Sequence, residues 1–434
     1  MRYLPLLLLS VLSTCARAQE LYFPPTTNGN WERMSLEEAG LCTDGEEDFR
    51  AYLEQTNTDA FLLLKDGKIV MEYYFGDFTA SSPHVWNSAG KSLMAMAVGI
   101  AADLDSLDIQ DRTVDYLGSG WTDCPETESD IRIVHQLTMT SGLSDLTGDP
   151  YCTDPDCLVC EAAPGQRWAY YNAPYTLLGR VIEEATGEEL NDFVRERIRQ
   201  PTGMAGQFVP LGYNRVFVSN ARSMARYGLL VLAGGCWNGE PILQDTAYFN
   251  AMVTSSQSIN PAYGYLWWLN GKETFRLPSS QMDFPGPIVP AAPADAYAAI
   301  GANAQIITVV PSRNLVMVRM GDDPEDGPVS TIFLNRVWER LNALECTTTS
   351  SPTPPGGTTL SVYPNPATNR LTLEATAGLQ RVDIYASRAR HLGTLPLNGT
   401  RQTIPLNDLP TGILWFRVTT RDGERRWRRV VHGK

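Results

Sequence analysis

From Leu93 to Leu104 the chain reads LMAMAVGIAADL, and every residue but Asp103 is apolar or glycine. A helix with no polar face must be hidden from water all round, so the rest of a globular domain has to be wrapped about it. At about a dozen residues the run is too short to cross a bilayer, which takes about 20. Ser88, Ala89, Gly90 and Lys91 lead into it. If the run is helical, their three-residue spacing sets the Ser88 hydroxyl and the Lys91 amine on one face of its first turn. A serine hydroxyl is a poor nucleophile at neutral pH. It needs a base, and a lysine serves only where burial or nearby charge depresses its pKa. The apolar run offers that burial, and a backbone N–H in a first turn is available to a developing oxyanion. Read alone, the same four residues are also an ordinary helix cap.

The flanking segments give an α/β order. An acidic stretch from about Leu36 to Thr56 reads as a helix, and AFLLLKDGKIVMEYYFG as two strands turning at Asp66 and Gly67. IVHQLTMTSGL is a short helix ending in a turn at Ser141 and Gly142. His135 within it reads as structural, and His84 has no evident acidic orienter, so a Ser/His/Asp triad is poorly supported. Tyr170 and Asn172 lie on a loop before an amphipathic helix, Tyr175 to Ala185. Loops held by rigid elements commonly carry function, and a tyrosine beside a lysine can shuttle a proton. Residues 219–245 read as a helix closed by Gly234 and Gly235. AYGYLWWLNG, AYAAIGANAQIITVVP and NLVMVRMGD read as strands, and STIFLNRVWERLNALEC as a last helix. Strands near both ends, with helices between, predict one sheet assembled from N- and C-terminal pieces.

The first 18 residues have the leucine-rich core and Ala16–Arg17–Ala18 exit of a secretory signal, so the mature chain is expected to start at Gln19; a lipidated Cys15 is the weaker reading. No later stretch is long and apolar enough to span a membrane. Seven cysteines then remain: Cys42, Cys124, Cys152, Cys157, Cys160, Cys236 and Cys346. In an oxidising compartment these favour disulfides over a zinc site built from Cys124, Cys152, Cys157 and Cys160, and the odd count leaves one thiol over. No metal or cofactor is called for. Residues 347–359, TTTSSPTPPGGTT, are a linker by composition. Beyond it lie about 75 residues of short alternating strands, expected as a small all-β sandwich. Charge divides at the same place, with 12 Lys and Arg against 5 Asp and Glu from Thr359 onward and 23 against 44 before it. So acidic a main domain argues against nucleic acid as its partner.

Three spaced motifs carry a resemblance. SAGK at Ser88, QLTMTSGL from Gln136 to Leu143 and YYN from Tyr170 to Asn172, followed by YxLLGxVIE, resemble the serine β-lactamase and penicillin-binding-protein family in its class C, esterase and 6-aminohexanoate-dimer hydrolase branch. The resemblance implies an antiparallel sheet flanked by helices, with a helical subdomain, over residues 19–346. It implies that Ser88 attacks an acyl carbonyl, that Lys91 and Tyr170 share its proton, and that Asn172 supports Lys91 or the substrate. The oxyanion hole would combine the N–H of Ser88 with that of Ala302, just after Gly301, or be offset to Gln305. The family's third motif is altered. Ala299, Ile300 and Gly301 stand where a cation, a hydroxyl and a glycine usually hold a substrate carboxylate, and Ala304 replaces a glycine. This favours ester or amide hydrolysis of a small-molecule or peptide-like acyl substrate. The alternatives are a β-lactamase or D-alanyl-D-alanine carboxypeptidase, and a non-catalytic binding protein on a decayed hydrolase fold. VYPNPATNRLTLE, VDIYAS and LPTGILWFRV look like the C-terminal sorting domain of type IX secretion cargo, over residues 360–434. That implies the type IX machinery as a partner and export through the periplasm to the outer-membrane surface or the medium. An ordinary accessory domain, for instance a carbohydrate-binding one, is the alternative, and the Pro–Asn–Pro opening together with the near-terminal LPTG stretch favours sorting.

Overall fold

The computed structural model describes residues 20–27, 30–324, 329–346, 360–386 and 390–433. The expected leader and linker lie outside them. The chain divides into two compact units, one ending at Cys346 and the other starting at Thr347. Among the described residues no helix is long and apolar enough to cross a membrane.

The first unit is ordered as α1 (Glu46–Gln55), β1 (Thr58–Lys65), β2 (Lys68–Tyr74), α2 (Gly90–Asp103), α3 (Asn172–Thr176), α4 (Leu178–Thr186), α5 (Ala221–Leu232), β3 (Trp268–Leu269), β4 (Tyr297–Gly301), β5 (Gln305–Val310), β6 (Leu315–Gly321) and α6 (Thr331–Ala343), with shorter pieces between. Its six-stranded antiparallel sheet runs β2-β1-β6-β5-β4-β3. Pairing of Leu62 with Val318 zips the N-terminal hairpin onto the C-terminal strands, as the strand pattern predicts.

Every residue of β5 and β6 is buried, because helices cover both faces. Side-chain alternation puts Phe61 on the face of α1 and α6, where it meets the Phe49 ring at 5.2 Å. Val316 and Ile307 point the other way, against Gly228 of α5. The core between the sheet and α2 is continuous.

The acidic segment is helical only from Glu46. Residues 36–40 form hydrogen-bonded turns instead, Leu41 bridges to Glu345, and the Cys42 N–H donates to the Leu344 carbonyl at 2.7 Å, so Leu41 and Cys42 lie as a strand-like edge. The helix expected at Tyr175 to Ala185 is the abutting pair α3 and α4. The aromatic strand shrinks to Trp268–Leu269.

Disulfides join Cys42 to Cys346, Cys124 to Cys160 and Cys152 to Cys157. The thiolates a zinc site would use are thus bonded in pairs. Cys236 is disulfide-bonded as well, and no described cysteine is free. The leftover thiol expected among the seven is not found among the described residues.

The second unit has two antiparallel sheets. One contains Leu360–Tyr363, Arg370–Ala375 and Arg401–Pro405; the other contains Leu379–Ala386, His391–Pro396, Gly412–Thr420 and Arg425–His432. Leu371, Leu373, Val382, Phe416 and Val418 belong to one apolar cluster shared by both, which makes this region an all-β sandwich.

Candidate active site

Trp86 anchors the approach to α2. Its ring is fully buried, Nε1 donates to Ser219 Oγ at 2.8 Å, and its N–H donates to the Phe217 carbonyl at 2.8 Å. Asn87–Ala89 form one tight helical turn that runs straight into α2, and all of Gly90–Ala101 is buried.

Ser88 is left half-buried at the rim, whereas Lys91 is 2% exposed. Lys91 Nζ lies 2.8 Å from Ser88 Oγ and donates to Asn172 Oδ1 at 2.7 Å. Burial lowers the Lys91 pKa from 10.5 to about 7. Both of these partners are neutral, so neither restores the charged form as a carboxylate would. The rings of Tyr170 and Tyr175, 5.0 and 4.5 Å from Nζ, soften the penalty without cancelling it.

Tyr170 is set by the segment from Gln136 to Leu143. The Ala169 N–H donates to the Met139 carbonyl at 2.8 Å, and Gln136 Nε2 donates to the Pro174 carbonyl at 2.6 Å, fixing α3 and its first residue Asn172. The Tyr170 ring stacks on Trp268 with centroids 5.7 Å apart. Its hydroxyl is hydrogen-bonded with Ser88, and burial pushes the phenol well above its ordinary pKa, so it stays protonated at neutral pH.

The end of β4 closes on the same turn. A Cβ at Gly301 would come within 2.5 Å of the Trp86 carbonyl oxygen and 3.0 Å of the Ser88 nitrogen, so only glycine lets the strand approach this closely. The next residue, Ala302, lines the cleft beside Ser88, and its carbonyl accepts from Asn87 Nδ2 at 2.9 Å. Gln305 is different. Its buried side-chain amide donates to the Gly321 and Asn303 carbonyls at 2.5 and 3.1 Å, so the side chain serves the turn.

Above Ser88 opens a cleft of about 310 Å³. One wall is Asp149 and Tyr151, on a loop pinned by the Cys152–Cys157 and Cys124–Cys160 bonds. Facing it are Leu211 and Tyr213, at the tip of the hairpin formed by Gln207–Leu211 and Asn214–Ser219. The Tyr213 hydroxyl donates to Asp154 Oδ2 at 2.5 Å and ties the two walls together. Asp149 is the one charged residue in the lining, which holds no Lys, Arg or His.

Sequence reasoning missed these wall residues; the signal available was Tyr151 directly before a close cysteine pair. It also missed Asp59, whose carboxylate stands 3.5 Å from His84 Nε2. The other ring nitrogen of His84 faces the Val85 carbonyl, so neither serves Ser88. His135 Nδ1 accepts from the Arg132 N–H and caps its own helix.

Comparison with known proteins adds the ancestry. Residues 46–331 match the family model "Beta-lactamase", and residues 361–432 match "Secretion system C-terminal sorting domain". A 6-aminohexanoate-dimer hydrolase of Paenarthrobacter ureafaciens is 24% identical over 266 residues, which is 52% of this chain and 68% of that one. A Bacillus anthracis protein considered a 6-aminohexanoate-dimer hydrolase superposes with a TM-score of 0.56 at 17% identity, over 76% of this chain and 91% of its own. A family VIII carboxylesterase gives 0.53 at 15% identity, over 70% and 99%. Identities this low establish a shared fold.

Proposed function

Since the chain belongs to the beta-lactamase family of serine hydrolases and carries a type IX sorting domain for export, we propose that it cleaves an ester or amide through an acyl-enzyme on Ser88. The carrying observation is the lysine amine 2.8 Å from Ser88 Oγ with a pKa brought to about 7. A neutral Lys91 takes the Oγ proton as the oxygen attacks the acyl carbon. Tyr170, held as a phenol, relays that proton to the leaving group, and Asn172 keeps the ammonium aimed. The Ser88 and Ala302 N–H groups receive the oxyanion, and water then releases the acyl group from Ser88.

The substrate lacks a recognition carboxylate. Neither Ala299–Ile300–Gly301 nor the cleft lining offers a cation, which forgoes a charge-assisted contact worth roughly 1.5–3 kcal/mol. Leu211, Tyr151 and Tyr213 suit an apolar or aromatic group beside the scissile bond.

The direct test is labelling by a fluorophosphonate with turnover of p-nitrophenyl esters. Both are expected in the native chain and absent in Ser88→Ala, and equal labelling of the two overturns the assignment. Nitrocefin hydrolysis at a comparable rate would revive the β-lactamase reading.

A further inference from the structure

The turn that follows Ala302 is held in a conformation its own residues disfavour. Asn303 and Ala304 have φ of 60° and 55°, and neither is glycine. Two successive left-handed residues, one of them alanine, persist only where surrounding contacts over-determine them.

The contacts come from two side chains that touch no part of the Ser88–Lys91–Tyr170 group. Arg319, in β6, is 1% exposed. Its Nη1 donates to the Asn303 and Ala304 carbonyls at 2.5 and 3.2 Å. Nη2 donates to the carbonyls of Thr56, Asn57 and Asp322 at 2.9, 2.8 and 3.0 Å, and Nε to Thr58 Oγ1 at 3.2 Å. Gln305 Nε2 adds a second donor to the Asn303 carbonyl. Gly321 leaves the room: a Cβ there would sit 2.7 Å from the guanidinium carbon.

One planar cation thereby fastens the turn to the α1–β1 junction and to the end of β6. On its other side the turn is fixed by Gly301 wedged against the Ser88 nitrogen and by Asn87 holding the Ala302 carbonyl. The Ala302 peptide hangs between two immobile points.

We propose that Arg319 and Gln305 are positioning residues for acyl transfer, which aim the Ala302 N–H at the oxyanion by pinning the two carbonyls that follow it. This rests on Ser88 as nucleophile and Ala302 as donor. Losing an oxyanion donor outright costs about 10²–10³-fold in kcat, and a misaimed one costs less.

The test uses the full chain with Gln305→Glu, which keeps the acceptor oxygens and removes both donors, and with Gln305→Met, which buries no charge should the first fail to fold. Arg319→Lys retains a cation that reaches fewer carbonyls. Rates are normalised to active sites titrated with fluorophosphonate, so that unfolded protein does not count. Expected is a fall in kcat of about 10–100-fold with KM within about threefold, and a parallel weakening of an aryl boronic acid, whose adduct on serine is tetrahedral. Arg319→Lys should fall between these variants and the native enzyme. If Ser88→Ala is inactive but the Gln305 variants keep kcat and boronate affinity within about twofold, the brace is structural only and the proposal fails. If Ser88→Ala still turns over ester, the assignment of the nucleophile fails instead.

Discussion

Replacing Lys91 by methionine should strengthen the fold while destroying the base, and the gain should depend on pH in a way that only a buried amine produces. In the folded chain Lys91 has a pKa of about 7 against an ordinary 10.5. Between these values the unfolded chain carries the proton and the folded one does not, so stability rises with pH there, by up to about 1.4 kcal/mol per unit. Below about pH 7 both states are protonated, and the folded state bears the full cost of a buried cation. That cost shrinks as pH climbs toward 10.5. Methionine fills similar space with no charge, so Lys91→Met lacks this slope. The stability difference between the two proteins, from urea titrations, should narrow by about 3 kcal/mol between about pH 6.5 and about 9.5. All other titrating groups are common to both and cancel. The lost hydrogen bonds to Ser88 and Asn172 shift the absolute difference but not its slope. Parallel stability curves over that window would refute a depressed Lys91, and with it the case for a lysine base.

The same pKa fixes the rate profile: log kcat/KM should climb one unit per pH unit below about 7 and then level, whereas an ordinary lysine would keep it climbing to about 10. Asp149, the one charge in the cleft lining, should disfavour anionic esters. Asp149→Asn should raise kcat/KM for a succinate half-ester about 2–5-fold relative to a neutral ester at low ionic strength, and salt should erase the gain; an unchanged ratio refutes a role in selection. Ala304→Gly should stabilise by about 1 kcal/mol in thermal unfolding by removing a left-handed alanine, with kcat unchanged while Arg319 still grips the turn; a loss of stability would mean the backbone there is not strained.

Much of this was legible in the chain because it is local. The spacing of Ser88 and Lys91 needs only a helix to bring them together, and an apolar run from Leu93 leaves no alternative to burial. The hairpin at Asp66–Gly67 and the all-β tail follow from turn residues and alternation. What could not be read depends on contacts between distant loops. Tyr151 and Tyr213 are 62 positions apart and line one cleft only because disulfides shape one loop and strand pairing lifts the other. The edge-like path of Leu41 and Cys42 is imposed by residues 344–346. Arg319 left one clue, a charged residue inside an otherwise apolar strand, which burial of that strand turns into a demand for partners.

The bond between Cys42 and Cys346 spans 304 positions and makes nearly the whole hydrolase a closed ring. In the chain-entropy account, a loop of that length removes about 5–6 kcal/mol of freedom from the unfolded chain. Pulled by either tail, a ring enters as a doubled chain. Once that bond has formed, a pore must accept two strands abreast or the finished body, because single-file threading is closed to it. Cutting the chain between the ring and its sorting domain would leave no loose end from which the last helix could peel.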